Sequence, residues 1–169
     1  TRSLVNMVIQ LLVVGIFIAP FVVALLIRRQ TLSTMGLSWN NFGSSVLLGI
    51  VLGSITVISY AVVYGKAFTI FSGLSSTHLY YFVATLSVGF REEVVFRGYL
   101  HLRLTAWLGS RRGWILTAII FTIFHVGQSI SGLIGVFVTG LVFGWVMRKS
   151  ENIVGLSIWH AFMDWVWIL

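Results

Sequence analysis

Apolar residues run in long stretches along the chain, broken by short polar or basic clusters. Six of these stretches read as helices on length and pattern. The first covers about Leu4 to Ile27, with Pro20 expected to kink it, and stops at Arg28-Arg29. A polar stretch from Gln30 to Asn41 follows, with Trp39 placed as an interfacial aromatic. The second covers about Phe42 to Tyr64 and carries Gly43, Gly49 and Gly53, small residues suited to close helix packing in lipid. A loop is expected from Gly65 to His78. The third runs from about Leu79 through Arg91-Glu92-Glu93 as far as Leu108. The fourth spans Gly113 to about Val126, and the fifth Leu133 to Met147, with Gly135, Gly140 and Gly144 on helical spacing. The sixth starts near Ile153 and passes Asp164 to the end. Segments four to six are shorter than a full span as counted, so their ends are expected to extend into the flanking loops.

Composition sharpens this pattern into a class. Of the 169 residues, 58% are hydrophobic and only 9% charged, and the mean hydropathy is +1.00. A soluble domain of this size needs more polar surface, whereas about 20 apolar residues suffice for a helix to cross a bilayer. The expectation is an all-α, polytopic transmembrane helix bundle of about six spans, integral to the membrane, with a cavity between its helices. It is read as a single domain over residues 1–169, trimmed at its ends from a longer chain because it opens on Thr1 and closes inside an apolar run. The first apolar run is too long for a signal-peptide core and reads as a span.

A formal charge of +7 raises nucleic acid as a partner, but the basic residues are scattered between apolar runs as Arg28-Arg29, Arg111-Arg112 and Arg148-Lys149. Nucleic-acid binding calls for one continuous basic face, so that class is set aside. Cytoplasmic loops of membrane proteins look like this instead. If Arg28-Arg29 faces the cytoplasm, alternation puts Arg103, Arg111, Arg112, Arg148 and Lys149 there too. The other side then holds Arg2, Lys66 and the uncharged Gly127–Gly132 turn, with both termini outside. Absent cysteines exclude disulfides and thiolate chemistry.

An ionisable side chain inside a span costs on the order of 3 kcal/mol on insertion scales and points to function. Glu92, Glu93, Arg97, His125, His160 and Asp164 lie on three segments and no others. Glu93 and Arg97 stand at i, i+4 and can pair, as can His160 and Asp164, while Glu92 is offset by about 100° from the Glu93 face. Two histidines and a carboxylate from separate helices, Glu92, His125 and His160, suit a divalent metal such as zinc with an open position for water. The same groups can also activate water without metal. Taken singly, each residue has a plainer reading: an ion pair for Glu93–Arg97, an interhelical hydrogen bond for either histidine, an orienting partner for Asp164. His78 and His101 have no carboxylate placed to pair with them and are read as non-catalytic.

In order along the chain, these residues form a pattern. Glu92-Glu93-Val94-Val95-Phe96-Arg97 resembles the Glu-Glu-x-x-x-Arg motif of the CAAX protease and bacteriocin-processing family of intramembrane endopeptidases. Phe121-Thr122-Ile123-Phe124-His125 is similar to its Phe-x-x-x-His motif, and His160-Ala161-Phe162-Met163-Asp164 to its His-x-x-x-Asn or Asp motif. The resemblance covers about residues 79–169, a catalytic core preceded by two accessory spans over residues 1–78.

This resemblance implies an intramembrane endopeptidase acting on a membrane-associated protein or peptide, prenylated or carrying a leader. It makes Glu92 and His125 the water-activating pair, with His160 and Asp164 opposite, Glu93 in support and Arg97 holding the carboxylates. Asp164 stands where the prenyl-protein-trimming branch has Asn; an ionised Asp only accepts, which favours orienting or metal binding over oxyanion donation. Access from the cytoplasmic side is expected. A non-catalytic membrane scaffold or immunity protein of the same fold is the main alternative, and an ion-coupled transporter a third. The first has no reason to keep these costly buried charges, and the second usually shows repeats that are not apparent here.

Overall fold

The computed structural model describes residues 2–65 and 75–168. Lys66, most of the loop expected before His78, and Leu169 lie outside the described residues. The fold is all-helical, with no strand among the described residues beyond an isolated bridge between Val126 and Gln128. In order come α1 (Arg2–Ile27), a 3-10 turn (Leu32–Met35), α2 (Phe42–Val63) and α3 (Ser76–Glu93). A π-helical stretch (Val94–His101) runs straight into α4 (Leu102–Leu108), followed by α5 (Ser110–Phe124), α6 (Ile130–Ser150) and α7 (Ile153–Val166). The expected third segment therefore exists as one rod, α3–π–α4, whose middle is wound more loosely than an α-helix. Pro20 sits inside α1, which is helical on both sides of it.

Caps explain several boundaries that apolar pattern alone leaves loose. The Ser129 hydroxyl accepts from the Gly132 N–H at 3.2 Å and starts α6 three residues ahead of its first leucine. Asn152 does the same for α7, accepting from the Val154 N–H at 3.0 Å. At α3, His78 is a helical residue rather than the edge of a loop: its Nδ1 accepts from the Ser75 backbone N–H at 3.1 Å. The expected extension of the late segments holds for α6 at both ends, whereas α7 stops at Val166.

α7 is the centre of the bundle, packed against both α2 and α3, while α5 lies between α4 and α6. The α2–α7 crossing is close because glycine meets glycine: a Cβ on Gly49 would stand 2.8 Å from the Gly155 Cα. Gly53 likewise lies under the Phe162 ring, but Gly43 faces open space and takes no part in packing. One buried apolar cluster joins Leu25, Met35, Val94, Phe143, Val146, Met147, Ile153 and Leu156 at the end with the basic loops. A second joins Val57, Ala61, Trp165 and Val166 at the other end. Outward faces remain apolar, with Ile16 72% and Leu26 71% exposed on α1. Two helices, α2 and α6, are each long and apolar enough to cross a membrane on their own.

Candidate active site

All six sequence-predicted site residues come together where the α3–π rod, the end of α5 and the middle of α7 meet. Gly89 makes this approach possible, since a Cβ there would lie 2.9 Å from the Ser157 carbonyl and 3.2 Å from the His160 Cβ. The π-helical stretch begins directly after Glu93. Local widening of this kind re-aims side chains and is frequent at functional sites.

Glu93 and Arg97 form the sealed part. Both are fully buried, and an Arg97 guanidinium N–H donates to Glu93 Oε1 at 2.8 Å. The guanidinium also lies over the rings of Phe121 and Phe143, 4.2 and 5.0 Å from their centroids. The same Glu93 oxygen is 2.8 Å from His160 Nδ1. A carboxylate can only accept, so His160 carries a proton on Nδ1 and presents Nε2 to the site.

His125 is oriented by a different device. It is the first residue past α5, and its Nδ1–H donates to the Phe121 carbonyl at 2.8 Å, an oxygen the helix end would otherwise leave unpaired. Its Nε2 is thereby turned inward as well. Both Nε2 atoms face one oxygen, Glu92 Oε2, at 3.8 Å from His125 and 3.9 Å from His160. Glu92 is buried and this oxygen has no protein hydrogen-bond partner, while its Oε1 stands 3.7 Å from Arg91 Nη2. Separations of this length exceed a direct hydrogen bond and suit groups that share a third species.

Asp164 differs from expectation in its role. It stands 3.8 Å from His160 on the Nε2 side, with its side chain 38% exposed, so it does not set the ring's orientation. Glu93 does. Arg97 likewise holds one carboxylate, Glu93, and not both.

Two imidazole Nε2 atoms with fixed second nitrogens plus an unpartnered carboxylate oxygen fit a divalent cation in donor chemistry. Among the described residues, however, no three His, Asp or Glu side chains stand as a ready-built ligand group. The fit is thus one of donor type and not of a formed ligand set.

His125, His160 and Asp164 line a cavity of about 670 Å³, together with Gln128, Ser129, Thr139 and the aromatic pair Tyr64 and Trp167. These rim residues belong to the ends of α2 and α7 and the start of α6, so the cavity opens away from the basic loops. Other contributors were not apparent from sequence: Arg91 beside Glu92, Phe143 walling Arg97 and His160, and Gly135 and Thr139 on the cavity wall. Only the small-residue face of α6 hinted at the last two. His101 is buried and its Nδ1 lacks a partner, but it lines a separate pocket near Arg148.

With this geometry in place, the chain can be set against known proteins. The model of the Type II CAAX prenyl endopeptidase Rce1-like family matches residues 74–166. The chain belongs to that family, one of intramembrane proteases. The match spans every site residue and covers almost the same stretch as the motif resemblance. No curated protein and no solved structure matched.

Proposed function

We propose that the protein is a multi-pass intramembrane endopeptidase in which Glu92 and His125 activate the hydrolytic water. The observation that carries this reading is Glu92 Oε2, buried without a protein partner and facing two imidazole Nε2 atoms. Glu92 takes the proton as water attacks the scissile carbonyl carbon, and His125 shares the hold on that water. His160 faces the opposite side of the reacting centre; its Nε2–H, in the protonated ring, donates to the developing oxyanion. Glu93 fixes the ring of His160, and Arg97 balances the Glu93 charge. Asp164, at the cavity wall, interacts with the substrate side of His160. Aromatic walls from Phe121 and Phe143 lower the local dielectric, which strengthens each of these contacts.

A divalent cation, when bound, would be held by Glu92, His125 and His160 and would supply a water of lowered pKa. Outward apolar faces and the two long apolar helices support several membrane crossings. The substrate class is a membrane-associated protein or peptide.

The decisive experiment is cleavage of a panel of membrane-presented peptides by the purified protein and by Glu92→Ala. Cleavage by the parent alone supports the reading, and equal cleavage by both rejects it. Elemental analysis of the parent against His125→Ala and His160→Ala decides the metal: near-stoichiometric zinc lost in both variants means a metal centre on these residues. A metal content unchanged by either substitution removes that set.

A further inference from the structure

Neighbouring residues on a helix stand about 100° apart and do not ordinarily face each other, yet Arg91 Nη2 comes within 3.7 Å of Glu92 Oε1. A ring from α1 backs the arginine on its other side. The guanidinium carbon lies over Phe17, 5.0 Å from the ring centroid, where the negative face of the ring attracts a cation. Arg91 Nε is buried without a hydrogen-bond partner, so among the described residues the ring and the carboxylate are what place the guanidinium.

Phe17 is itself fixed to the catalytic helices. One turn further along α1, Phe21 packs edge-on against Tyr99 of the π-helical stretch, with ring centroids 4.8 Å apart. Phe17 meets Phe124 edge-on at 6.1 Å, and the Phe124 ring stands beside that of His125. α1 thus touches the immediate neighbours of both Glu92 and His125.

Charge gives the contact with Glu92 its use. Arg97 is committed to Glu93, and among the described residues Arg91 is the one Lys or Arg that pairs with Glu92. A glutamate side chain has three torsions, the last of them broad, and imidazoles at 3.8 and 3.9 Å do not hold it by hydrogen bonds. A cation drawn to Oε1 leaves Oε2 as the oxygen turned to the histidines.

We propose that Arg91 is a positioning residue for hydrolysis: clamped between Phe17 of α1 and Glu92 Oε1, it fixes the carboxylate with Oε2 toward His125 and His160. The inference rests on the protease reading and adds to it a helix outside residues 74–166, the stretch matched by the family model. Arg91 acts through Glu92 and does not touch the substrate.

The test uses the full chain in detergent and the membrane-presented peptides that the parent cleaves. Arg91→Met keeps an unbranched side chain and removes the charge. Its kcat is expected to fall at least about tenfold with KM within about twofold, because a misaimed base is felt in the transition state and not in substrate binding. Arg91→Lys, which keeps a cation against the Phe17 ring, is expected to recover most of that loss. A parent-like kcat in Arg91→Met, a loss carried by KM, or equal losses in the Met and Lys variants overturns the proposal. Phe17→Leu leaves every charge in place and carries the test where Arg91→Met does not fold. It is expected to lower kcat severalfold at unaltered KM, and a parent-like kcat overturns the proposal. A double-mutant cycle on melting temperature reads the clamp without activity: with Phe17→Leu and Arg91→Met in one chain, the shift should be smaller than the sum of the two single shifts. Additive shifts overturn the clamp even in a protein that cleaves nothing, whereas a parent that cleaves no presented peptide rejects the protease reading itself.

Discussion

Glu92 and Glu93 are adjacent on one helix, yet their surroundings are opposite. Glu93 is fully buried, bonded to Arg97 and His160 through a single oxygen at 2.8 Å each, and walled by Phe121 and Phe143 through its arginine partner. Glu92 keeps one oxygen without a partner and faces two imidazoles at nearly 4 Å. A step of about 100° around the helix separates a carboxylate tied to two side chains through one oxygen, with its Oε2 unpartnered, from one whose buried Oε2 faces two imidazoles beyond hydrogen-bond reach. In the proposed mechanism the sealed side orients and the open side reacts. A carboxylate bonded to a guanidinium and an imidazole is held more firmly than one whose nearest imidazoles stand nearly 4 Å away, so the second gains more from a water or a substrate.

The contrast is most exposed to failure at the open side. Glu92→Gln keeps shape and removes the base, so cleavage should fall by about 10²–10⁴-fold. Thermal unfolding in detergent should stay within a few degrees of the parent. A variant that retains most of its rate would show that Glu92 is not the reacting carboxylate.

On the sealed side the main effect should be on folding. Glu93→Leu or Arg97→Met leaves its partner as an uncompensated buried charge, at a cost of about 3–5 kcal/mol. The double variant should recover most of that loss, because two apolar side chains replace the pair. It should still cleave poorly, since His160 Nδ1 no longer has its acceptor. A double variant with full activity would remove Glu93 from its orienting role, and a double variant no more stable than the singles would break the account of the pair. Chemical denaturation combined with the cleavage assay reads both.

Asp164→Asn should matter less. Among the described residues its side chain pairs with His160 alone, on the Nε2 side, and it is partly open to the cavity, so the expected change in kcat/KM is under about tenfold, or 1.4 kcal/mol. A loss as large as that of Glu92→Gln would place Asp164 in the reacting centre itself. The smallest effect is expected at His78→Ala, which deletes an N-terminal cap on α3. Stability should drop by about 1 kcal/mol with cleavage unchanged.

Much of this could be read in the sequence, for a physical reason. Long apolar runs specify helices and a lipid-facing exterior because backbone groups must pair within each helix and few charges can be spared. Those few charges therefore mark the site, and all six expected residues converge. Helix bodies followed the pattern closely, whereas caps such as Ser129 and Asn152 depend on single hydrogen bonds that periodicity does not encode. Tertiary structure alone decided the rest. Which glutamate is sealed depends on where the α3–π rod, Phe121 and Phe143 come to lie. The orienting group for His160 is Glu93 on another helix, although Asp164 has the more suggestive spacing in sequence. Spacing along a chain fixes the face a side chain shares, but the partner that reaches it, and the end of the bundle that stays open, follow from how separate helices pack.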